Sequence, residues 1–532
     1  MRTKQLLLAT AALSLAWTGA QAKPHAAKPD PRDAEIQALK EQVQALAAKV
    51  DTLEARSNAA PPPAPAPPPP PPIPVAVVQT PGPASFPTAG GATIVAGKPS
   101  IQSADGRFTA NLRGVMQFDA ADYSQASAGP LASDFRRGAA AADTAHARDL
   151  SSGSNFRRAR IGIDGKAFGD WDYNLLFDFG GSGEEDAGHI QEMWVQYSGL
   201  KPFHFRIGAF PPSIGLEDQA STNGALFLER PAVSDMARSL AGGDFREAVE
   251  AWGNGTWWYA NAAVTGRVVG VVNSQATGVS QPFDSQLGLI GRFAVIPVNT
   301  ADGMLQLGVH GSYVERPADA GGPDAAGARY PITLQERPEL RVDGTRLIST
   351  GAINARHAST LGAEAAAQYG GFFIQGEYER FRIDRLNPAA GVSDPDFDGY
   401  YVEGSYILTG ERRKYNAGTA AFDAPPVNHP FSRQDGTWGA FEVAARYSDV
   451  DLNYHAGAFG TAPSADAVRG GEQRIVAAGL NWYPNTFVRF LLDFQDVRID
   501  RLSPSAATFQ TPTGVQIGQH YHVVSLRSQF AF

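Results

Sequence analysis

Basic residues occupy alternate positions in the segment from Phe156 to Phe179, which reads FRRARIGIDGKAFGDWDYNLLFDF. Arg158, Arg160 and Lys166 fall on its even positions, whereas the odd positions between them are apolar or small. Side chains with a period of two share one face of an extended strand. A guanidinium group can donate two parallel hydrogen bonds to an anion that carries several oxygens. The pattern therefore predicts a cationic strand face that suits anionic solutes.

The same alternation continues after Gly169-Asp170, a residue pair that suits a tight hairpin turn. Apolar Trp171 and Phe177 then alternate with polar Asp172 and Asp178. A soluble sandwich would bury the apolar face in a core. A transmembrane barrel would turn that face to lipid and line a wet lumen with the charged face.

Length and composition exclude several classes of protein. The 532-residue chain has no apolar run of eighteen residues, which excludes a helical membrane protein. It has no cysteine, which excludes a disulfide framework and a thiolate metal site. Its net charge of -9 gives no reason to expect binding to nucleic acid.

The N-terminal hundred residues carry export and spacer signals. Arg2 and Lys4 precede an apolar segment that ends at a small-x-small cleavage signal, so residues 1–22 are predicted to be a signal peptide. Residues 23–34 are predicted to be disordered. Apolar residues at heptad a and d positions predict a coiled coil over 35–56, with a single amphipathic helix packed on a domain as the alternative. Residues 57–104 form a Pro-rich linker, whose polyproline stretch would extend roughly 40 Å.

Sixteen segments with a period of two follow, each long enough for a tilted membrane strand. They are approximately 107–118, 156–168, 171–180, 189–199, 203–210, 246–253, 256–268, 284–297, 303–315, 358–370, 372–385, 398–411, 437–450, 472–483, 486–500 and 519–532. Short and long connections alternate, except that Arg412 to Gly436 is long where a short turn is expected. We predict an all-β fold: residues 105–532 form a 16-stranded antiparallel transmembrane β-barrel, preceded by a coiled-coil helix and a Pro-rich linker.

Aromatic residues cluster beside the short turns, as in the interfacial girdle of a membrane barrel. The members are Trp171, Tyr173, Phe203, Phe205, Trp257, Trp258, Tyr259, Phe372, Phe373, Trp482, Tyr483 and Phe487. The chain ends in Phe532, and a terminal Phe resembles the assembly signal of bacterial outer-membrane proteins.

Several short motifs, taken in order, resemble the phosphate-selective porin O/P family over essentially all of 105–532. They are Phe156-Arg157-Arg158-Ala159-Arg160, Arg206-Ile207-Gly208 before Pro211-Pro212, Phe227-Leu228-Glu229-Arg230, YILTGER over Tyr406 to Arg412, and the terminal Phe532. The resemblance implies a homotrimeric pore in the outer membrane of a Gram-negative cell. It also implies a third loop, about Pro211 to Phe245, that folds into the barrel.

Strand parity assigns cations to the lumen face. As an anion pathway we predict Arg113, Arg158, Arg160, Lys166, Arg206, Arg230, Arg292 and Arg489, with Glu217, Glu229 and Arg238 in the constriction loop. A nearly equal number of carboxylates shares that face. The alternative interpretation is therefore that many of these arginines form salt bridges that brace the wall.

Catalysis and cofactors find no support in the sequence, and no metal ligands are predicted. Residues 394–399 reproduce the first half of a calcium loop, but Ser405 stands where that loop needs a bidentate Glu.

The leading hypothesis is a passive outer-membrane porin for small inorganic anions, with phosphate or polyphosphate as the expected solute. It lies in the lipid bilayer with lipopolysaccharide around it, and its N-terminal segment is periplasmic. A non-selective diffusion pore and a structural tether, in which the coiled coil contacts peptidoglycan, are the alternatives.

Overall fold

The computed structural model describes residues 49, 92–95, 98–125, 149–181, 188–243, 246–269, 285–318, 331–504 and 513–532. Residues 1–83 and 84–532 are two separate units. The first is described only at Lys49, which is helical. The predicted signal peptide, residues 23–34 and, apart from Lys49, the predicted coiled coil lie outside the described residues.

The second unit consists mainly of β-strands. In chain order they are β1 (Ala92–Val95), β2 (Lys98–Gln102), β3 (Thr109–Gln125), β4 (Gly153–Ala167), β5 (Trp171–Asp178), β6 (His189–Tyr197), β7 (Phe203–Ala209), β8 (Arg246–Asn254), β9 (Trp258–Val268), β10 (Leu287–Asn299), β11 (Gly303–Arg316), β12 (Gln335–Glu336), β13 (Ile348–Ser349), β14 (Ala355–Tyr369), β15 (Phe372–Arg385), β16 (Asp396–Ile407), β17 (Lys414–Asn416), β18 (Ala421–Asp423), β19 (Ala440–Tyr454), β20 (Val468–Tyr483), β21 (Val488–Asp500) and β22 (His520–Ala531). Two helices, α1 (Leu216–Gln219) and α2 (Ala232–Ala241), lie between β7 and β8.

Sixteen of the described strands close into one antiparallel barrel; the short strands β1, β2, β12, β13, β17 and β18 lie outside this wall. The last strand, β22, pairs with the first wall strand, β3, from Tyr521 opposite Gln125 to Ala531 opposite Val115. Closure gives the backbone amides of all sixteen strands partners, which a membrane requires. The predicted fold class is therefore confirmed. Among the described helices, none is both long and apolar enough to span a membrane.

Apolar side chains cover the outside of the barrel. On β4, for example, Ile161 is 54% exposed, while Arg158 on the opposite face is 4% exposed. Aromatic side chains form a girdle around the end of the barrel that carries the short turns. Its exposed members include Trp171, Phe203, Phe205, Trp257 and Phe372. Tyr259, Phe373 and Tyr483 depart from the predicted girdle, because they point inward and are buried.

The terminal residue completes the seam between β22 and β3. The backbone amides of Phe532 and Gly114 donate to each other's carbonyls at 2.9 and 3.1 Å. The Phe532 ring covers Gly114 so closely that a Cβ there would lie 2.5 Å from a ring carbon.

We expect Gly114→Val to destabilise the barrel by about 1–3 kcal/mol, since overpacking forces the ring or the strand to move. Urea unfolding in detergent micelles measures the effect. Gly291→Val is the matched control, because a Cβ at that strand glycine would lie 3.8 Å from its nearest neighbour, the carbonyl oxygen of Asn261. Equal midpoints for the two variants would contradict the prediction.

Two segments enter the barrel from opposite ends. The third long loop, described over 210–243 and containing α1 and α2, enters from the end that carries the long loops. The connection between β16 and β19 enters from the other end as the hairpin β17–β18. Phe422 of this hairpin is buried and packs on Phe373 at 4.8 Å between ring centroids. The hairpin explains why the connection at Arg412 to Gly436 is long: it fills the interior and leaves the wall at sixteen strands.

Candidate functional site

The two inward segments cover one side of the lumen. The inner faces of β8 to β22, here called the covered wall, bury their charged residues beneath the third loop and the hairpin. These residues include Glu250, Arg292, His310, Glu364, Glu377, Glu403, Glu442, Arg446, Asp493 and Arg527. These charged groups form ion pairs and hydrogen bonds with other groups of the protein. Arg292, for example, pairs with Glu364 at 2.8 Å and donates to the hairpin carbonyls of Thr419 and Ala420, both at 2.7 Å.

The inner faces of β3 to β7, here called the open wall, keep several charged side chains partly exposed, although Asp119, Arg158 and Asp178 are buried. The side chains of Lys166, Arg113 and Arg206 are 48%, 29% and 21% exposed. Within the described residues, charged groups that a solute in the lumen could reach therefore concentrate on this wall.

Cations form a row along the open wall. Lys166 lies near the short-turn end of β4 and Arg158 lies eight residues away along the strand, which corresponds to about 26 Å. Arg160 lies on the same face between them, and Arg113 of β3 stands opposite Gly162. The sequence predicted this row from strand parity.

Carboxylates accompany most of these cations. Lys166 lies 2.7 Å from Asp172, Arg160 lies 2.7 Å from Asp178, and Arg113 lies 3.7 Å from Asp164. The open wall is thus a mixed network of charges, and the interpretation that arginines brace the wall holds for part of the set.

A β-bulge on β4 brings an additional arginine inward. The pairing with β3 shifts between Gln117 and Phe118, so that Arg158 opposes Gln117, Phe156 opposes Phe118 and Arg157 has no partner. Arg157 then reaches Glu229 of the third loop through two hydrogen bonds of 2.7 and 3.1 Å. Strict alternation placed Arg157 on the outside. The adjacent arginines Arg157 and Arg158, which follow an aromatic residue, were the one sequence feature that could have indicated the bulge. A bulge can turn two neighbouring side chains to the same side of a strand.

Arg158 differs from its neighbours because no ion pair to it occurs within the described part of the chain. Its Nη1 donates to Gln117 at 2.6 Å, and its Nε has no hydrogen-bond partner among the described residues. It lines a small cavity between the wall and the third loop, together with Glu217, Glu229 and Arg230.

The pKa values of the two glutamates of this cavity are shifted in opposite directions. Burial alone would raise the pKa of Glu229, but the guanidinium groups of Arg157 and Arg527 hold it well below its usual range. Burial raises the pKa of Glu217 well above its usual value, and the carboxylate of Glu403 adds to this effect. Glu229 is paired with Arg157, Arg527 and Arg341. Arg230 pairs with Asp235 at 3.8 Å, whereas Arg158 has no carboxylate within ion-pair distance among the described residues.

Arg206 sits among aromatic rings on the open wall. Its guanidinium carbon lies 4.6 Å from the ring centroid of Trp194, 5.1 Å from Phe210 and 5.9 Å from Trp252. Its Nε donates to Gln196 at 3.0 Å, and the nearest carboxylate, Glu250, is 3.7 Å away. The rings hold the guanidinium in place and leave it partly exposed.

The third loop is fastened to the covered wall by Glu377. Its carboxylate accepts hydrogen bonds from the backbone amides of Leu216 and Glu217 at 2.5 and 3.2 Å. It also accepts from the hydroxyls of Ser234 at 3.1 Å and Tyr401 at 3.0 Å. This carboxylate therefore fixes both helices of the loop.

Two predicted pathway residues require a correction. Arg292 and Arg489 are each 2% exposed and lie beneath the inward segments, where Arg489 donates to the loop carbonyls of Asn223 and Ala225. Parity identified the face correctly but could not show which part of that face is covered. Arg238 lies within the loop and pairs with Asp218 at 2.5 Å.

A buried cluster on the covered wall could in principle hold a metal ion, since His310, Glu364 and Glu377 bring three ligand atoms within 4.8 Å of one another. Both ring nitrogens of His310 already face carboxylates, Glu364 at 3.1 Å and Glu379 at 2.5 Å. Arg292 donates a hydrogen bond to Glu364, and the backbone amide of Leu216 in the third loop donates one to Glu377. The cluster is better described as a structural network.

The barrel region is similar in sequence to known proteins. The sequence profile of the family "Phosphate-selective porin O and P" matches residues 128–532. The chain belongs to this family. Porin O of Pseudomonas aeruginosa is 27% identical to this porin over 430 residues, which cover 78% of this chain and 90% of the relative. An uncharacterised protein of Caulobacter vibrioides is 26% identical over 473 residues, covering 87% and 85%.

The chain is also similar to solved structures of outer-membrane proteins. The trimer form of the outer-membrane protein OmpT of Vibrio cholerae matches with a TM-score of 0.40 and 10% identity, covering 80% of this chain and 99% of that one. The anion-selective porin from Comamonas acidovorans matches with a TM-score of 0.42 and 14% identity, covering 80% and 100%.

Family membership and the closed barrel establish the general role of the protein. This porin forms a channel in the outer membrane and is a channel rather than an enzyme.

Proposed function

We propose that this porin passes small anions along the open wall, with phosphate-like oxyanions as the expected solutes. The observation that carries the proposal is the row of partly exposed cations on the open wall, where the side chains of Lys166, Arg113 and Arg206 are 48%, 29% and 21% exposed. An anion that crosses a membrane must exchange part of its hydration shell for fixed donors, and guanidinium groups supply such donors. Arg158, Arg160 and Arg230, which are less exposed, are the remaining members of the proposed pathway.

The pairing of the other cations limits the expected selectivity. Lys166, Arg160 and Arg113 each have a carboxylate within 4 Å, so their fields partly cancel. This observation favours a second candidate, a general diffusion pore with weak charge preference. The two candidates differ in how strongly the exposed cations of the open wall govern permeation.

Replacing Arg206, which is 21% exposed on the open wall, with Gln is expected to reduce the ratio of chloride to potassium permeability by roughly fivefold, since one unit charge at 4 Å contributes about 1 kcal/mol even with water-like screening. The reversal potential across a planar bilayer in a KCl gradient measures this ratio. Arg498→Gln is the matched control, because Arg498 is an exposed arginine on the outer face of β21. Cation preference in the unmodified porin would exclude the anion pathway.

Solute identity requires a competition experiment. Chloride conductance should fall as inorganic phosphate is added to the unmodified porin, and the inhibition should weaken in Arg206→Gln. A conductance that depends only on total ionic strength would favour the general diffusion pore.

Three further parts of the proposal concern assembly and placement. The homotrimer, the periplasmic position of the N-terminal segment and the contact between the coiled coil and peptidoglycan stay predictions. Deleting residues 23–100 tests the last of them, and unchanged association with the cell wall after the deletion would remove the tether role.

A further inference from the structure

We propose that Asp496, His520 and His522 form a binding site for a transition-metal ion such as Zn²⁺ on the outer surface of the barrel. The sequence analysis did not identify this set. The inference is independent of the proposed anion pathway, because none of the three residues faces the lumen.

Strand register brings the three side chains together. His522 of β22 stands directly opposite Asp496 of β21, and His520 lies two residues from His522 on the same face. The alternating neighbours Val497 and Tyr521 are buried at 0% and 2% exposure, so they occupy the inner face. The histidine side chains are about half exposed, at 55% and 48%.

The distances suit a shared ion. Nε2 of His520 and Nδ1 of His522 each lie 3.1 Å from the same oxygen, Oδ2 of Asp496. The three ligand atoms all lie within 4.8 Å of one another. Ligands of a tetrahedral zinc ion, with bonds of about 2.0–2.2 Å, are separated by roughly 3.3–3.5 Å. Small side-chain rotations would therefore admit the ion, with water completing its coordination.

Neighbouring residues orient the ligands. Nε of Arg498 donates to the other carboxylate oxygen, Oδ1 of Asp496, at 3.1 Å, which leaves Oδ2 directed at the histidines. The ring of His522 stacks on Phe494 with centroids 5.7 Å apart. Such outer contacts restrict the rotamers of metal ligands and raise affinity.

The ligand set selects the class of metal. Two imidazoles with one carboxylate suit zinc, copper or nickel, whereas calcium and magnesium prefer oxygen ligands. The site lies beyond the exposed apolar residues Leu492, Phe494, Val524 and Leu526 of the same two strands, toward the long-loop end. A bound ion would therefore sit at the edge of the lipid-facing band and would leave the lumen unobstructed.

The competing explanation is a plain ion-pair cluster, in which protonated histidines neutralise Asp496. The two explanations differ in metal uptake. Untagged full-length porin, purified in detergent and stripped with a chelator, would be titrated with Zn²⁺ by equilibrium dialysis, and Co²⁺ would report geometry through its visible absorption.

We expect one saturable zinc per chain and the intense absorption of tetrahedral cobalt. His520→Ala/His522→Ala should bind zinc at least tenfold more weakly, and Asp496→Asn should weaken it as well. His455→Ala is the control, since His455 is an equally exposed histidine that pairs with one aspartate, Asp466. It should retain the wild-type affinity.

Two results would overturn the site: no saturable zinc on the unmodified porin, or equal uptake by that porin and the double variant. The variants change exposed side chains, so the barrel should keep its unfolding midpoint, which a urea titration checks. Single-channel conductance should be the same with and without zinc, and a zinc-dependent block would contradict the placement outside the lumen.

Discussion

Replacing Arg527 with Met is expected to weaken the seam of the barrel by about 3–5 kcal/mol, the usual cost of removing one partner from a buried ion pair. Arg527 lies on the last strand. It forms two hydrogen bonds of 2.7 Å with Asp119 on the first wall strand and lies 2.8 Å from Glu229 of the third loop. The change would leave Asp119 buried without its ionic partner.

Urea unfolding in micelles, together with the resistance of the folded barrel to SDS, measures this effect. Arg489→Met is the matched control, because Arg489 is equally buried but donates only to carbonyl and amide oxygens among the described residues. Asp119→Asn should recover part of the loss in the Arg527→Met background, since it removes the unpaired charge. A Met variant as stable as wild type would mean that backbone pairing alone closes the barrel.

The second large effect is expected at Glu377. In Glu377→Gln the uncharged amide replaces a carboxylate that accepts four hydrogen bonds, two of them from the start of α1. Hydrogen bonds to a charged group contribute about 1.5–3 kcal/mol each, so the loss should release the third loop from the covered wall. The barrel should remain closed, because the strand ladder does not involve this side chain.

Single-channel recording is the measurement for this variant. A released loop should raise the mean conductance and add current fluctuations on the open level. Glu192→Gln is the control, because Glu192 is a lumen carboxylate whose hydrogen bonds go to Asn174 and Trp194 on the wall. Quiet currents of unchanged size in Glu377→Gln would show that the remaining contacts hold the loop.

The barrel wall could be predicted from the sequence because apolar, lipid-facing residues and polar, lumen-facing residues alternate along each strand. Arg158, Arg160 and Lys166 share the lumen face as parity requires, while Ile161 points outward. The pattern failed at Arg157, where one bulge shifts the register and no periodicity can report it in advance.

The sequence could not predict which part of the lumen face is covered by the third loop and the β17–β18 hairpin. Arg292 and Arg206 both occupy lumen positions, yet only Arg206 remains partly exposed. The difference depends on where the third loop and the β17–β18 hairpin pack, which involves contacts such as Arg292 with Ala420, 128 residues apart. The metal-ligand set was missed for a related reason, because Asp496 and His522 are brought together only by the register of two strands.

The division into a covered and an open wall has a consequence for molecular sieving. The proposed passage along β3 to β7 shares the barrel interior with the third loop and the β17–β18 hairpin, so it is narrower than the barrel. We therefore expect solutes to be excluded at a smaller size than an empty sixteen-stranded barrel would exclude them. Barrel diameter alone would overestimate the size limit of this channel.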